Sequence, residues 1–279
     1  MAECNTEARL LGNASGLKET FQVLSQKIDK LYSESQGDIF LQKAKEKCGQ
    51  GLQGIDAGSE DYNVLLQNYT QAVLDYTFYK ESKLVDEDFP AATAEARLQD
   101  ILGELDGALQ TVDLHNRNAE EIAAILGEEL TECIYWRKGA LLYMYCFTIN
   151  EEKDRREKNG DTFLKNVKKG VGYLQSMLRV RAPVENGANV VFNDNDTMEL
   201  LSKGIFSDTH LLALMYAGEM CHWYAEFSQN HTSNESDQFR AREIGQNALQ
   251  LYINAVKGPL KGKGWNCDRA EELIKDLQL

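Results

Sequence analysis

The sequence predicts an all-α protein: a single helical domain over residues 1–279, built from about nine or ten antiparallel helices as an irregular bundle or a TPR-like α-solenoid. Three observations predict it. Only three prolines, Pro90, Pro183 and Pro259, interrupt the chain, and good helix formers are plentiful while runs of β-branched residues are scarce. Several windows repeat apolar residues at the three-four spacing of one helix face. Two windows, 139–149 and 211–221, are apolar on nearly every side, the second with Glu219 as its only charge. That pattern belongs to a helix surrounded by other helices, because neither run reaches the roughly 20 apolar residues a bilayer span needs.

Taken in order, residues 14–35 carry Leu17, Phe21, Leu24, Ile28 and Leu31 as one apolar stripe. A short helix follows over 38–48, and four glycines between 49 and 59 read as a loop. Residues 61–82 place Tyr62, Leu65, Leu66, Tyr69, Val73 and Tyr76 on one face of a second amphipathic helix. Helices are expected at 93–111, 118–126 and 127–149. The charged residues 151–158 with Asn159-Gly160 read as a turn, and a helix over 161–179 is closed off by Pro183. Residues 184–195 are turn-rich, with an extended piece at 190–192, and a helix over 196–203 ends on Gly204 as its C′ residue. The central helix starts at a Ser207 or Asp208 cap, and a polar loop occupies 228–237. A helix over 238–256 stops at Gly258-Pro259, and a terminal helix covers 268–278.

Trp136, Gly139, Ala140 and Tyr143 match the spacing of a tetratricopeptide first helix with Gly in place of Leu, and Leu214, Ala217, Gly218 and Cys221 echo it. Two matches do not make a 34-residue repeat, but they put small residues where helices approach closely.

The segment Lys83-Leu-Val-Asp-Glu-Asp-Phe-Pro90 mixes acids with large apolar residues, and Pro90 pushes Phe89 out of helical geometry. Two readings stand. It is a solvated connection whose apolar residues tuck back, or an acidic-hydrophobic docking element. In the second reading Leu84, Val85, Asp86, Glu87, Asp88 and Phe89 are the candidate partner-binding residues.

The formal net charge of −14 argues against general nucleic-acid binding. Its distribution is uneven. Residues 81–132 hold 14 acids against three bases, whereas residues 137–181 hold 11 bases against five acids. The basic stretch suits solvated helix faces, or contact with an acidic partner or anionic headgroups. Six cysteines lie far apart without a CxxC pair, and the first residues lack the apolar core of a signal peptide, so reduced cytosolic thiols are expected.

No cofactor, metal or catalytic set emerges. There is no Walker A loop, and neither Gly170-x-Gly172 nor Gly262-x-Gly264 has the context of a phosphate cradle. Asp194-x-Asp196 begins like a calcium loop but places Glu199 where Gly is required. Asp208, His210, Glu219, Cys221 and His222 resemble a metal set on paper, yet a helix spreads 208, 219 and 222 over three turns. An interaction protein is the remaining class; a small-molecule-binding helical domain or an enzyme is the less favoured alternative.

Seven stretches in fixed order carry a resemblance. They are Tyr69-Thr-Gln-Ala-Val-Leu-Asp75, Lys83-Leu-Val-Asp-Glu-Asp-Phe-Pro90, Gly139-Ala-Leu-Leu-Tyr-Met-Tyr-Cys146, Gly204-Ile-Phe-Ser-Asp208, His210-Leu-Leu-Ala213, Gly218-Glu-Met-Cys221 with Trp223, and Gly258-Pro-Leu-Lys261 with Trp265. From about residue 62 to 270 the chain resembles an animal family long labelled only as uncharacterised, whose vertebrate member is the Rab-seven-interacting subunit of the Mon–Ccz complex. The resemblance implies a non-enzymatic cytosolic adaptor without cofactor. It would bind the late-endosomal Rab GTPase in its inactive form together with the Mon–Ccz exchange complex. Its role would be in endolysosomal traffic and clearance of damaged mitochondria, with recruitment to those membranes through its partners. A generic helical scaffold of another complex is the alternative. The first 60 residues, 150–195 and 228–237 carry none of the resemblance.

Overall fold

Every regular element among the described residues is α-helical. The structure is a computed structural model, and it describes residues 2–35, 37–58, 61–111, 117–181, 199–229 and 235–278, with side chains from residue 15 onward except 229 and 235–239. Eleven helices lie in these residues: α1 (Ala2–Glu34), α2 (Ile39–Ala57), α3 (Tyr62–Asp86), α4 (Ala94–Gln110), α5 (Ala119–Leu126), α6 (Glu128–Glu151), α7 (Lys153–Lys158), α8 (Gly160–Arg179), α9 (Asp208–Gln229), α10 (Glu235–Lys257) and α11 (Asp268–Gln278). The chain forms two compact units, residues 1–134 and 135–279, the division falling inside α6. The expected turns and extended piece over 184–195, and positions 230–234 of the expected polar loop, lie outside the described residues.

Local chemistry starts these helices. The Asp38 carboxylate accepts from the backbone N–H groups of Phe40 and Leu41 at the head of α2, and Asp61 does the same for Asn63 at α3. Asn118 and Glu121 complete a capping box at α5. In the first unit, Leu17, Phe21, Leu24 and Ile28 of α1 are buried together with Leu65, Leu66, Val73 and Tyr76 of α3 and with Leu98, Ile101, Leu102 and Leu105 of α4. The stripes read from the sequence are therefore the core.

Two expectations fail here. The glycine-rich stretch after residue 48 is no loop: α2 runs through Gly49, Gly51 and Gly54 and ends only at Gly58, which is left-handed at φ 61°. Packing overrides helix propensity, because a methyl group at position 51 would stand 2.6 Å from Cε1 of Phe21. The glycine lets α1 and α2 close. The charged stretch after 151 is likewise no turn but the short helix α7, with Asp154 in its first turn and Arg155, Arg156 and Lys158 in its last, which suits the helix dipole.

In the second unit α9 is the hub, packed against α8, α10 and α11. Leu211, Ala213, Leu214, Ala217 and Met220 are fully buried. Small residues sit at the crossings, as the sequence suggested. A methyl at Gly139 would lie 2.6 Å from Leu174 Cδ2, and one at Gly218 would lie 2.5 Å from Leu249 Cδ2. At Gly245, which the sequence reading does not single out, a methyl would lie 2.7 Å from Cys221 Cβ. Before α9, one helical turn at 199–202 closes on Gly204 (φ 70°), with Ile205 N–H donating to the Leu200 carbonyl, the Schellman geometry anticipated for a C′ glycine.

Candidate partner-binding surfaces

The 84–89 segment is the C-terminal end of α3. Phe89 N–H donates to the Leu84 carbonyl at 3.1 Å and Asp88 N–H to the Val85 carbonyl at 2.9 Å, a Schellman cap with Asp88 in the place usually held by glycine. Asp88 and Phe89 have φ of 50° and 48°, left-handed backbone that is costly for a bulky residue. Leu84 and Phe89 are buried, as the C3–C″ apolar contact of such a cap requires. Asp86, Glu87 and Asp88 are exposed. Arg97 donates to Glu87 at 2.5 Å and holds its carboxyl below the usual range.

Val85 is the apolar member that faces outward, 38% exposed. Phe78 lies seven residues back on α3, about 20° away in helical projection, and is also 38% exposed. Its ring meets Phe40 of α2 with centroids 4.3 Å apart, and the neighbouring Ile39 is 56% exposed. The outer end of the α2–α3 hairpin thus shows an apolar strip ending in acids. The sequence reading missed Ile39, Phe40 and Phe78. The available signal was that Phe78 lies well off the Val73–Tyr76 stripe.

In the second unit α6 and α9 share a row of rings. Tyr143 stacks on Tyr216 at 3.7 Å and on Trp223 at 5.4 Å, Trp136 stacks on Tyr216 at 5.8 Å, and Phe147 touches both Tyr143 and Trp223. Phe147 is 45% exposed while Trp223 is buried. Beneath the row, buried Glu219 accepts from the Tyr143 hydroxyl at 2.7 Å and pairs with Arg269 of α11 at 3.4 Å. Burial and the neighbouring Glu219 charge push the Tyr143 phenol well above its ordinary range. This phenol stays neutral and donates.

The other residues singled out on α9 are not brought together. His210 Nδ1 accepts from the Ser207 backbone N–H at 3.1 Å, so it folds back on its own helix start, and its ring stacks on Phe206 at 4.2 Å. His222 faces Asp276 at 3.5 Å. Cys221 is buried against the Gly245 backbone of α10, and its thiol is pushed up to about 12. Among the described residues no three His, Cys, Asp or Glu side chains are grouped to hold a metal ion, and no helix is long and apolar enough to cross a membrane.

The basic stretch is split by environment. Lys165, Lys168 and Lys169 of α8 are exposed. Arg156 donates to Asn150 at 2.8 Å and lies over the Phe227 ring. A groove of about 280 Å³ runs between α8 and α10, floored by Val171, Cys221, Tyr224 and Ile244 and edged by Lys168 and Arg240.

Residues 36–278 match the protein family described as RAB7A-interacting MON1-CCZ1 complex subunit 1. The match takes in 36–60, 150–195 and 228–237, where the sequence motifs were silent. A zebrafish (Danio rerio) protein of that name is 43% identical over 262 residues, covering 91% of this chain and 94% of its own. The human protein of that name is 36% identical over 84% of this chain and 83% of its own, and the mouse protein 36% identical over 85% and 84%. No solved structure matches the chain.

Proposed function

The chain belongs to the RAB7A-interacting MON1-CCZ1 complex subunit 1 family, and from that premise we propose that it is a helical adaptor binding a RAB7A-type GTPase and a MON1–CCZ1 complex. The observation that carries this reading is identity of 43% across nearly the whole of a relative named for those two associations. Its work is binding, with no chemistry of its own, and the buried Glu219 serves as a structural link to Tyr143 and Arg269. The adaptor prefers the GDP-bound GTPase. It moves from cytosol to late endosomes or damaged mitochondria through its partners, and so keeps the GTPase at hand for the exchange complex. The segment from Leu84 to Phe89 forms one docking edge, and the exposed lysines of α8 support a second, salt-sensitive contact with an acidic surface.

Affinity capture from cytosol on the purified chain, with GDP or a non-hydrolysable GTP analogue added, tests the reading. A RAB7A-type GTPase enriched in the GDP arm, with MON1 and CCZ1 in both arms, is the expected result. Absence of the GTPase and of MON1–CCZ1 from both arms would overturn it.

A further inference from the structure

We propose that the outer end of the α2–α3 hairpin is a docking face for an amphipathic helix of a protein partner, one whose apolar side is flanked by Lys or Arg; the inference rests on the adaptor reading above. Four observations converge on this face. Phe78 and Val85 line up along α3 two turns apart, and Phe40 and Ile39 extend the strip onto α2. Ile39, Phe78 and Val85 are all at least 38% exposed, so the strip keeps a large apolar area open to solvent. Asp86 and Asp88, which follow at its end, are exposed and form no ion pair among the described residues. The backbone there keeps two left-handed non-glycine residues, Asp88 and Phe89, where glycine would relieve the strain.

The chemistry of the occupant follows. Side chains seven residues apart on one helix are met by a second helix presenting anchors at i, i+3 or i+4, and i+7. Asp86 and Asp88, carboxylates without an ion pair among the described residues, select cations at the end of the strip. The acidic balance of the sequence containing them, 14 acids against three bases over 81–132, disfavours an acidic ligand. Leu84 and Phe89 act from behind: buried, they fix where Val85, Asp86 and Asp88 point. The docking residues are therefore Ile39, Phe40, Phe78, Val85, Asp86 and Asp88.

The test places a photo-reactive phenylalanine analogue at position 85 of the full chain, mixed in turn with purified MON1–CCZ1 complex and purified GDP-loaded RAB7A. The cross-linked partner peptide is expected to be a helical segment carrying Lys or Arg beside apolar residues. In parallel, the Ile39→Ser/Val85→Ser double variant and the Asp86→Lys variant should each weaken that same partner about tenfold or more while leaving the other partner's affinity unchanged. Cross-links only to acidic segments or to a second copy of this chain, or full affinity in both variants, would overturn the docking face and leave the adaptor reading standing. If the unmodified chain binds neither purified protein, the adaptor reading falls and the docking face falls with it.

Discussion

Tyr143 donates its phenolic proton to Glu219 at 2.7 Å, joining α6 to α9 beneath a row of stacked rings. The bond satisfies a carboxylate that is only 8% exposed, and Arg269 completes it from α11. Two α9 positions that look like site chemistry, Glu219 and His210, thus have structural duties.

Tyr143→Phe keeps the ring stack but strands one Glu219 oxygen. It should cost about 1–3 kcal/mol, read as a lower urea midpoint with an unchanged slope. Glu219→Gln, which still accepts from the phenol, should cost less.

Two of the three glycines of α2, Gly49 and Gly51, should respond in opposite directions. Gly51→Ala drives a methyl into Phe21 and should destabilise the first unit, whereas a methyl at Gly49 meets nothing within 4 Å. Gly49→Ala should therefore stabilise by about 0.5–1 kcal/mol through helix propensity. Thermal midpoints of the two variants check this, and equal shifts would contradict the packing account.

The cap at the end of α3 makes a third pair. Asp88→Gly relieves a φ of 50° and removes a negative charge from the helix C-terminus, so a gain of about 0.5–1 kcal/mol is expected. Leu84→Ala leaves a hole in a fully buried position and should cost about 2–5 kcal/mol. Chemical denaturation of both variants is the measurement.

Burial pushes the Cys48 and Cys221 thiols up to about 12 each. Between about pH 9 and 12 the unfolded chain therefore releases thiol protons that the folded chain retains. The unfolded state then binds fewer protons, and stability falls as pH rises through that window. Alkaline denaturation should be delayed in a Cys48→Ala/Cys221→Ala variant relative to its own stability at pH 7. Both thiols should also resist alkylation in the native protein at neutral pH.

Much of this was legible in the sequence. The stripe Leu17, Phe21, Leu24 and Ile28 and the spine around Leu214 announce their burial by spacing alone, and Gly204 announces its cap. What could not be read depended on partners distant in the chain. Gly51 looks like a helix breaker until Phe21 is known to fill the space beside it. The 84–89 segment displays six candidate contacts, but only the fold shows that Leu84 and Phe89 turn inward while Val85 turns out. Phe40 and Phe78 were invisible as a pair because they join only when α2 lies against α3.

The central claim is that this chain holds a GTPase and its exchange complex together, and sedimentation velocity on purified components tests it most directly. The chain, GDP-loaded RAB7A and MON1–CCZ1 should migrate as one species larger than any pair, and that species should shrink when the GTP analogue replaces GDP. Three independently sedimenting components under both nucleotides would contradict it.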